Sequence, residues 1–115
     1  MKSQTRVSTQ TIGSVLVVRF IDSKLVEQID ELRTSLLELI EPKQKMIISF
    51  QGVDVISGPV LDLLLSCKNT IATLGGGLRL CAMSPVIREV FRITQLHKAF
   101  EICDDEKVAI EAFCD

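Results

Sequence analysis

Residues 75–91 read GGGLRLCAMSPVIREVF, and local signals of four kinds follow one another in this stretch. The glycines end a helix and open a tight turn. Residues 78–83 alternate in the manner of a β-strand. Ser84 followed by Pro85 predicts an N-cap and a first helical position, so a helix begins there and continues through Phe91. Such direct passage from strand to helix is typical of the crossover units of an α/β protein.

The same order of strand and helix precedes this stretch. Residues 45–50 form a short apolar run, and Pro59 marks the first turn of a helix that extends to about Leu74. Apolar residues recur every three or four positions from Leu25 to Ile40, which predicts an amphipathic helix that ends near Pro42. Each unit therefore adds one strand and one covering helix.

The two ends of the chain complete the pattern. Residues 5–12 and 15–20, separated by Gly13 and Ser14, predict a hairpin whose second strand is buried on both faces. A brief strand at residues 99–102 precedes a helix that ends near Phe113. We expect one α/β domain over residues 1–115, with a core of about 5–113. Its sheet is mixed and mostly parallel with an antiparallel N-terminal strand, and about four helices cover it.

Composition excludes several functional classes. The 115 residues include 13 basic and 15 acidic residues, a net charge of -2, and no basic block, so we expect no nucleic-acid binding. The polar N-terminal residues and the short apolar runs predict neither a signal peptide nor a membrane anchor. Four cysteines without a CxxC pair indicate a reduced, cytoplasmic protein that folds without metal or disulfide.

Candidate catalytic groups each have a simpler interpretation. The triple glycine ends a helix instead of opening one, which disfavours a phosphate cradle. Asp104 and Asp105 sit where a helix start favours negative charge. Cys67, Cys81 and Cys103 occupy positions where cysteine acts as a small core residue, and the lone histidine, His97, lies in a polar turn. We therefore expect no catalytic residue, no metal site and no cofactor.

Residues 54–60, DVISGPV, form the most promising segment, because binding sites of open α/β sheets lie where a strand end leads into a helix. Free N–H groups there favour an anion, with Ser57 as the hydroxyl in position. Equally, Ser57 or Gly58 serves only to cap the helix. Leu61 and Leu65 fall outside the apolar stripe of this helix, which indicates either a partner surface or a wide stripe beneath a curved sheet.

The chain resembles a known family in the order of its motifs. The series GG-x-LRL, SP-x-x-R-x-x-F, T-x-L and FEI occupies residues 75–102, with further similarity at residues 31–38 and 50–56. These motifs resemble the STAS domain of anti-sigma factor antagonists, also called anti-anti-sigma factors. The resemblance covers residues 5–113 and implies a STAS fold.

In that family a partner kinase phosphorylates a Ser or Thr in a D-[ST]-[ST]-G-L loop, and only the unphosphorylated form captures the anti-sigma factor. The resemblance implies a bacterial, cytoplasmic regulator of transcription that is not an enzyme. Along the gapless register, the five positions of the loop are occupied in order by Ser57, Gly58, Pro59, Val60 and Leu61.

Both usual phosphoacceptor positions therefore lack a hydroxyl. Leu25 stands where the family has an acidic residue, although Asp22 and Ser23 lie nearby and partly substitute for it. Phosphoryl transfer needs an acceptor hydroxyl, so the resemblance implies that the usual regulation is lost. Ser57, one residue early, stays a candidate acceptor.

The hypothesis from the sequence is a signalling module that binds an anti-sigma factor or kinase-like protein. One alternative is a scaffold without a switch that self-associates or joins a signalling assembly, and another is an anion or nucleotide sensor. The expected partner-binding residues are Asp22, Ser23, Ser57, Gly58, Pro59, Val60, Leu61, Asp62 and Leu65.

Overall fold

The structure, a computed structural model, describes residues 7–25 and 29–113. Strands and helices alternate along most of it. In chain order the elements are β1 (Val7–Ile12), β2 (Val15–Phe20), β3 (Lys24–Leu25), α1 (Ile29–Leu37), β4 (Lys45–Ser49), β5 (Val55–Ile56), α2 (Gly58–Thr73), β6 (Gly77–Cys81), α3 (Pro85–Ile93), a 3₁₀ turn (Leu96–Lys98), β7 (Glu101–Cys103) and α4 (Glu106–Phe113).

The main sheet has five strands in the order β1-β2-β4-β6-β7. β1 pairs antiparallel with β2, and every other neighbouring pair is parallel. The predicted mixed sheet with an antiparallel N-terminal strand is therefore confirmed, as are the four helices. The carboxyl ends of β2, β4, β6 and β7 meet at one end of the sheet, which we call the carboxyl edge.

Two apolar layers hold the sheet between helices. The larger lies under α1, α2 and α3, where strand residues such as Val18 and Ile48 meet helix residues such as Leu64 and Phe91. The smaller lies under α4, where Ala109 packs against the opposite face of β2, β4 and β6. Helices therefore cover both faces of the central strands, which explains why β4 is apolar almost throughout.

One ion pair fixes α4 to the sheet. Arg19 on β2 donates two hydrogen bonds to the Glu106 carboxylate, at 2.8 and 2.7 Å. The Arg19 hydrogen bond is the main cause of the lowered pKa of Glu106. Residues 87 positions apart in sequence are thus joined at the first turn of the last helix.

Close approach explains the glycines after α2. Gly75 adopts a left-handed φ of +82°, and its N–H donates to the Ala72 carbonyl at 3.0 Å, so the helix ends there as predicted. A Cβ on Gly76 would lie 2.3 Å from the Gln44 carbonyl oxygen. This strand-side contact leaves no room for a side chain at position 76.

Two predictions about the first helix are wrong. Leu25 does not begin it but belongs to β3, and the helix ends at Leu37 instead of near Pro42. Short-range periodicity counted Leu25 as helical because it is buried, but Leu25 pairs with Ile56 of β5 in a small parallel ladder. Neither β3 nor β5 was predicted from the sequence.

Candidate functional site

The two loops expected to form one site lie side by side at the carboxyl edge. The Ser23 carbonyl accepts hydrogen bonds from the N–H groups of Asp54, at 2.6 Å, and Val55, at 3.3 Å. The Leu25 carbonyl accepts from the Ser57 N–H at 3.0 Å. Backbone pairing between β3 and β5 therefore holds the segment after β2 against the segment that leads into α2.

Ser57 occupies the N-cap position of α2 without capping it through its side chain. Its backbone is extended, with φ -99° and ψ 165°, and its carbonyl accepts from the N–H groups of Val60 and Leu61. Its Oγ is buried and has no hydrogen-bond partner among the described residues. Ser57 is therefore the N-cap residue of α2, as one of the two interpretations of this segment had it, but its hydroxyl accepts no hydrogen bond from the helix.

The first turn of α2 presents its surface through other residues. Gly58, Pro59 and Asp62 are exposed. A Cβ built on Gly58 meets no heavy atom within 4 Å, so this position accepts a side chain. Because Pro59 has no N–H, the turn exposes fewer donors than a helix start without proline.

Of the two interpretations of Leu61, the wide apolar stripe agrees with the structure. Leu61 is 6% exposed and packs in the main apolar layer together with Val60, which is 0% exposed. Leu65 is half-buried against the same layer. The apolar stripe of α2 is wide because the helix contacts both the sheet and α1. Val60 and Leu61 therefore support the site from below.

Exposed apolar residues lie around the two loops, and they were not predicted from the sequence. Ile21 follows β2 and is 61% exposed, Val55 in β5 is 42% exposed, and Val86 in the first turn of α3 is 64% exposed. Because α3 packs against β5, these side chains belong to one end of the molecule. A helical wheel of α3 would have identified Val86. Its neighbour Ile87 lies on the buried side of the helix, which leaves Val86 towards solvent.

The thiols belong to the core. Burial raises the pKa of Cys67 to about 11 and that of Cys81 to about 12, so both thiols are protonated at neutral pH. Cys103 is half-buried, and Cys114 lies outside the described residues. His97 is exposed, with Nδ1 3.4 Å from the Phe91 carbonyl. These contacts agree with the interpretation of the cysteines as packing residues.

The acidic pair before α4 has structural roles. Asp105 accepts a hydrogen bond from the Val108 N–H at 2.9 Å, as an N-cap side chain does. Asp104 pairs with Arg88 at 3.1 Å on the surface. The prediction that this pair serves the helix start is confirmed for Asp105.

Within residues 7–25 and 29–113, no three His, Cys, Asp or Glu side chains come together in an arrangement suited to a metal ion. Nor does any helix there combine the length and the apolar character needed to cross a membrane.

Comparison with known proteins gives a family and a fold. The family model described as STAS domain matches residues 6–109. The structure of an anti-sigma-factor antagonist (STAS) domain protein from Planctomyces limnophilus superimposes with a TM-score of 0.87 at 20% identity, covering 95% of this chain and 98% of the other. No curated protein has a sequence similar enough to count as a relative.

Two further solved structures share the fold. A candidate anti-sigma factor antagonist from Thermotoga maritima has a TM-score of 0.79 at 18% identity, covering 92% of each chain. The phosphorylated form of the Bacillus cell fate determinant SpoIIAA has a TM-score of 0.68 at 17% identity, covering 93% of this chain and 98% of the other. At these identities the likeness establishes the architecture alone.

Proposed function

The chain belongs to the STAS domain family, and on this premise we propose that it is an anti-sigma factor antagonist-like signalling module of the cytoplasm. It binds an anti-sigma factor or a kinase-like protein and thereby regulates transcription. The description of the Planctomyces limnophilus protein as an anti-sigma-factor antagonist supports this proposal. The role is binding instead of catalysis, because the candidate nucleophiles Cys67 and Cys81 are buried in the core.

One observation carries the choice of surface: the β3–β5 ladder joins the two predicted loops into a single platform. We call this platform the Ser57 surface. Backbone hydrogen bonds fix its loops, so a partner that docks there orders little additional chain. Its residues are Asp22, Ser23, Ser57, Gly58, Pro59, Asp62 and Leu65, with Val60 and Leu61 beneath them.

An apolar rim beside the Ser57 surface supplies binding energy. It consists of Ile21, Val55 and Val86, each exposed by more than two fifths. Burying apolar area stabilises a complex by about 25 cal/mol per Å², and the centre of an interface is depleted of charged residues. A partner with a matching apolar patch therefore obtains most of its binding free energy at this end of the molecule.

Regulation at the usual loop positions is absent in this proposal. Gly58 and Pro59 offer no hydroxyl, and the Ser57 Oγ is buried. We therefore propose that binding is constitutive unless the loop opens and Ser57 is modified. A phosphate on Ser57 would bring about -1.5 to -2 charges to the docking surface.

The decisive experiment uses Gly58, because a side chain added there meets no neighbouring atom. A substitution at this position therefore changes the surface without disturbing the packing that stabilises the fold. Wild type, Gly58→Ala and Gly58→Asp are used to capture proteins from lysate of the source cell, and captured anti-sigma or kinase-like proteins are purified and titrated. We expect Gly58→Ala to bind as wild type does and Gly58→Asp to bind at least about tenfold more weakly.

Circular dichroism and urea unfolding verify that both variants fold. Asp at a helix start is compatible with the helix dipole, so a loss of affinity reports on the interface. Ser57→Asp is less suitable, because it places a charge in buried space. Equal affinity of the two Gly58 variants, or capture of no such protein by wild type, would contradict the proposal.

A further inference from the structure

The two edges of the main sheet differ in how they meet solvent. β1, at one edge, has six residues with the sequence VSTQTI and contains neither a charged residue nor a proline. Its central side chains, from Ser8 to Thr11, are exposed. Natural edge strands are protected from pairing by charged residues, proline, bulges or short length, and β1 has none of these devices.

β7, at the opposite edge, is protected. It has three residues, and its Glu101 side chain is exposed. Asp104 and Asp105 follow directly and are also exposed. A strand added to β7 would gain few hydrogen bonds and meet negative charge, so of the two edges of the main sheet β1 is the better suited to a further strand.

The backbone of β1 turns specific groups outward. Ile12 and Val15 flank a two-residue turn, in which Gly13 has the positive φ of +62° that a type II′ turn requires. Residues that flank such a turn hydrogen-bond to each other, and bonded positions alternate along the strand. Gln10 therefore bonds β2, whereas Thr9 and Thr11 direct their N–H and C=O groups away from it. Within the described part of the chain, β1 pairs with β2 alone.

We propose that β1 pairs antiparallel with β1 of a second copy of this chain, about a two-fold axis through Gln10. In this register Thr9 of one copy forms hydrogen-bonded pairs with Thr11 of the other, and the two Gln10 residues face each other. Threonine pairs across strands are favourable, and no like charges oppose each other. The result is a continuous sheet through two copies.

A second copy fits this edge better than an unrelated peptide. An isologous contact requires a surface complementary to itself, and a neutral strand meets that condition where a charged one does not. Peptides that add to a sheet edge gain specificity from side-chain pockets along the strand, and the hollow lined by Thr11, Ser14 and Leu16 reaches β1 only near its end. The contact involves one strand of six residues from each copy, so we expect the dimer to be weak.

β1 is the outermost strand on one side of the sheet. The Ser57 surface lies elsewhere, at the carboxyl edge, where the parallel strands end. Self-association therefore leaves the Ser57 surface open, and the two proposals fail independently. Gly58→Asp should weaken partner binding without changing self-association. A change at Gln10 should weaken self-association without changing partner binding.

Sedimentation velocity of the full chain up to about 1 mM tests the pairing, and we expect a monomer–dimer equilibrium for wild type. Thr9→Pro removes an outward N–H without removing a β2 hydrogen bond, so it should abolish dimers. Gln10→Lys places two positive charges opposite each other and should weaken the dimer about fivefold. Gln51→Lys, at an exposed turn, is the matched control and should have no effect.

A charge exchange tests the register. A mixture of Gln10→Lys and Gln10→Glu should associate more strongly than either variant alone, because opposite charges then face each other. Circular dichroism verifies the fold of Thr9→Pro, and the Gln10 variants remain informative if it fails to fold. A wild type that is monomeric at all concentrations, or a dimer unaffected by the Gln10 variants, would overturn the proposal.

Discussion

Two helices of this protein begin with a serine and a proline and use them differently. Ser84 precedes Pro85 directly, and its hydroxyl accepts a hydrogen bond from the Ile87 N–H at 3.3 Å. Ser57 is separated from Pro59 by Gly58, and its hydroxyl has no partner among the described residues. Asp105 caps α4 as Ser84 caps α3. Of the starts of α2, α3 and α4, that of α2 is the one whose N-cap side chain accepts no hydrogen bond from an N–H group of the helix.

The difference shows that a capping side chain does not hold the α2 start in place. The β3–β5 ladder, and not a capping hydroxyl, positions this turn, since the Ser57 N–H donates to the Leu25 carbonyl. The exposed residues of this turn, Gly58 and Pro59, are therefore not needed to cap the helix. The α3 start, in contrast, uses its polar side chain internally.

The largest expected effects test whether both helices are anchored equally in the core. Leu64 on α2 and Phe91 on α3 are each 0% exposed, and Phe91 lies between the rings of Phe50 and Phe100. We expect Leu64→Ala to lower the free energy of unfolding by about 2–5 kcal/mol and Phe91→Ala by about 3–5 kcal/mol. Equilibrium urea unfolding measures both. A loss below about 1 kcal/mol for Leu64→Ala would mean that α2 is loosely anchored, and the comparison of helix starts would then fail.

The caps themselves should differ by about 1 kcal/mol. Ser84→Ala removes a side-chain cap and should lower the free energy of unfolding by about 1 kcal/mol. Ser57→Ala removes a buried hydroxyl without a partner, so stability should stay within about 0.5 kcal/mol or rise. The same urea titration compares the two variants. Equal losses would show that Ser57 does cap α2 in solution.

The Arg19–Glu106 ion pair at the α4 start should contribute about 1 kcal/mol or less to the free energy of unfolding, because it is partly exposed. This contribution should depend on pH. The Arg19 hydrogen bond lowers the pKa of Glu106 from the ordinary 4.5. A lowered folded-state pKa stabilises the fold above the unfolded value, and this stability is lost as the pH falls below 4.5 through the folded value.

Glu106→Gln should therefore flatten the acid limb of stability when urea unfolding is measured between about pH 6 and pH 3. Glu111→Gln, an exposed change on the same helix, serves as the control. An unchanged acid limb in Glu106→Gln would remove the Arg19 pair from the account of how α4 is held.

The last expected effect is a small gain in stability at the α2 start. Gly58 has an open surrounding space and no left-handed φ, so Gly58→Ala should raise the free energy of unfolding by about 0.4–1 kcal/mol. Thermal unfolding followed by circular dichroism measures it. A loss of stability would indicate that the chain needs glycine at this turn, and Gly58→Asp would no longer be a clean probe of binding.

Much of the fold was predictable from local signals. The Ser84–Pro85 helix start, the glycine stop after α2 and the antiparallel hairpin are all present, because capping, turns and strand alternation depend on residues close in sequence. The boundary at Leu25 was wrong because a partner 31 positions away, Ile56, gives this residue its strand conformation. Periodicity within a short window contains no information about such a pairing.

The candidate site was predictable in its location and less so in its side chains. The segments around Ser23 and Ser57 were expected to lie together, and they do. The sequence left open whether Leu61 is exposed, because the width of the buried stripe depends on what α2 packs against. Ile21 and Val86 were overlooked, since an apolar residue reads as core until the neighbouring elements are in place.

The amino-acid sequence alone accounts for the α/β class, the order of strands and helices, the family resemblance and the missing hydroxyls at positions 58 and 59. Tertiary packing accounts for the rest: the ladder that joins β3 to β5, the burial of the Ser57 hydroxyl and the exposed rim around it. The physical reason is range. Capping, turn and propensity preferences act over about four residues, whereas burial depends on which distant segments meet in the fold.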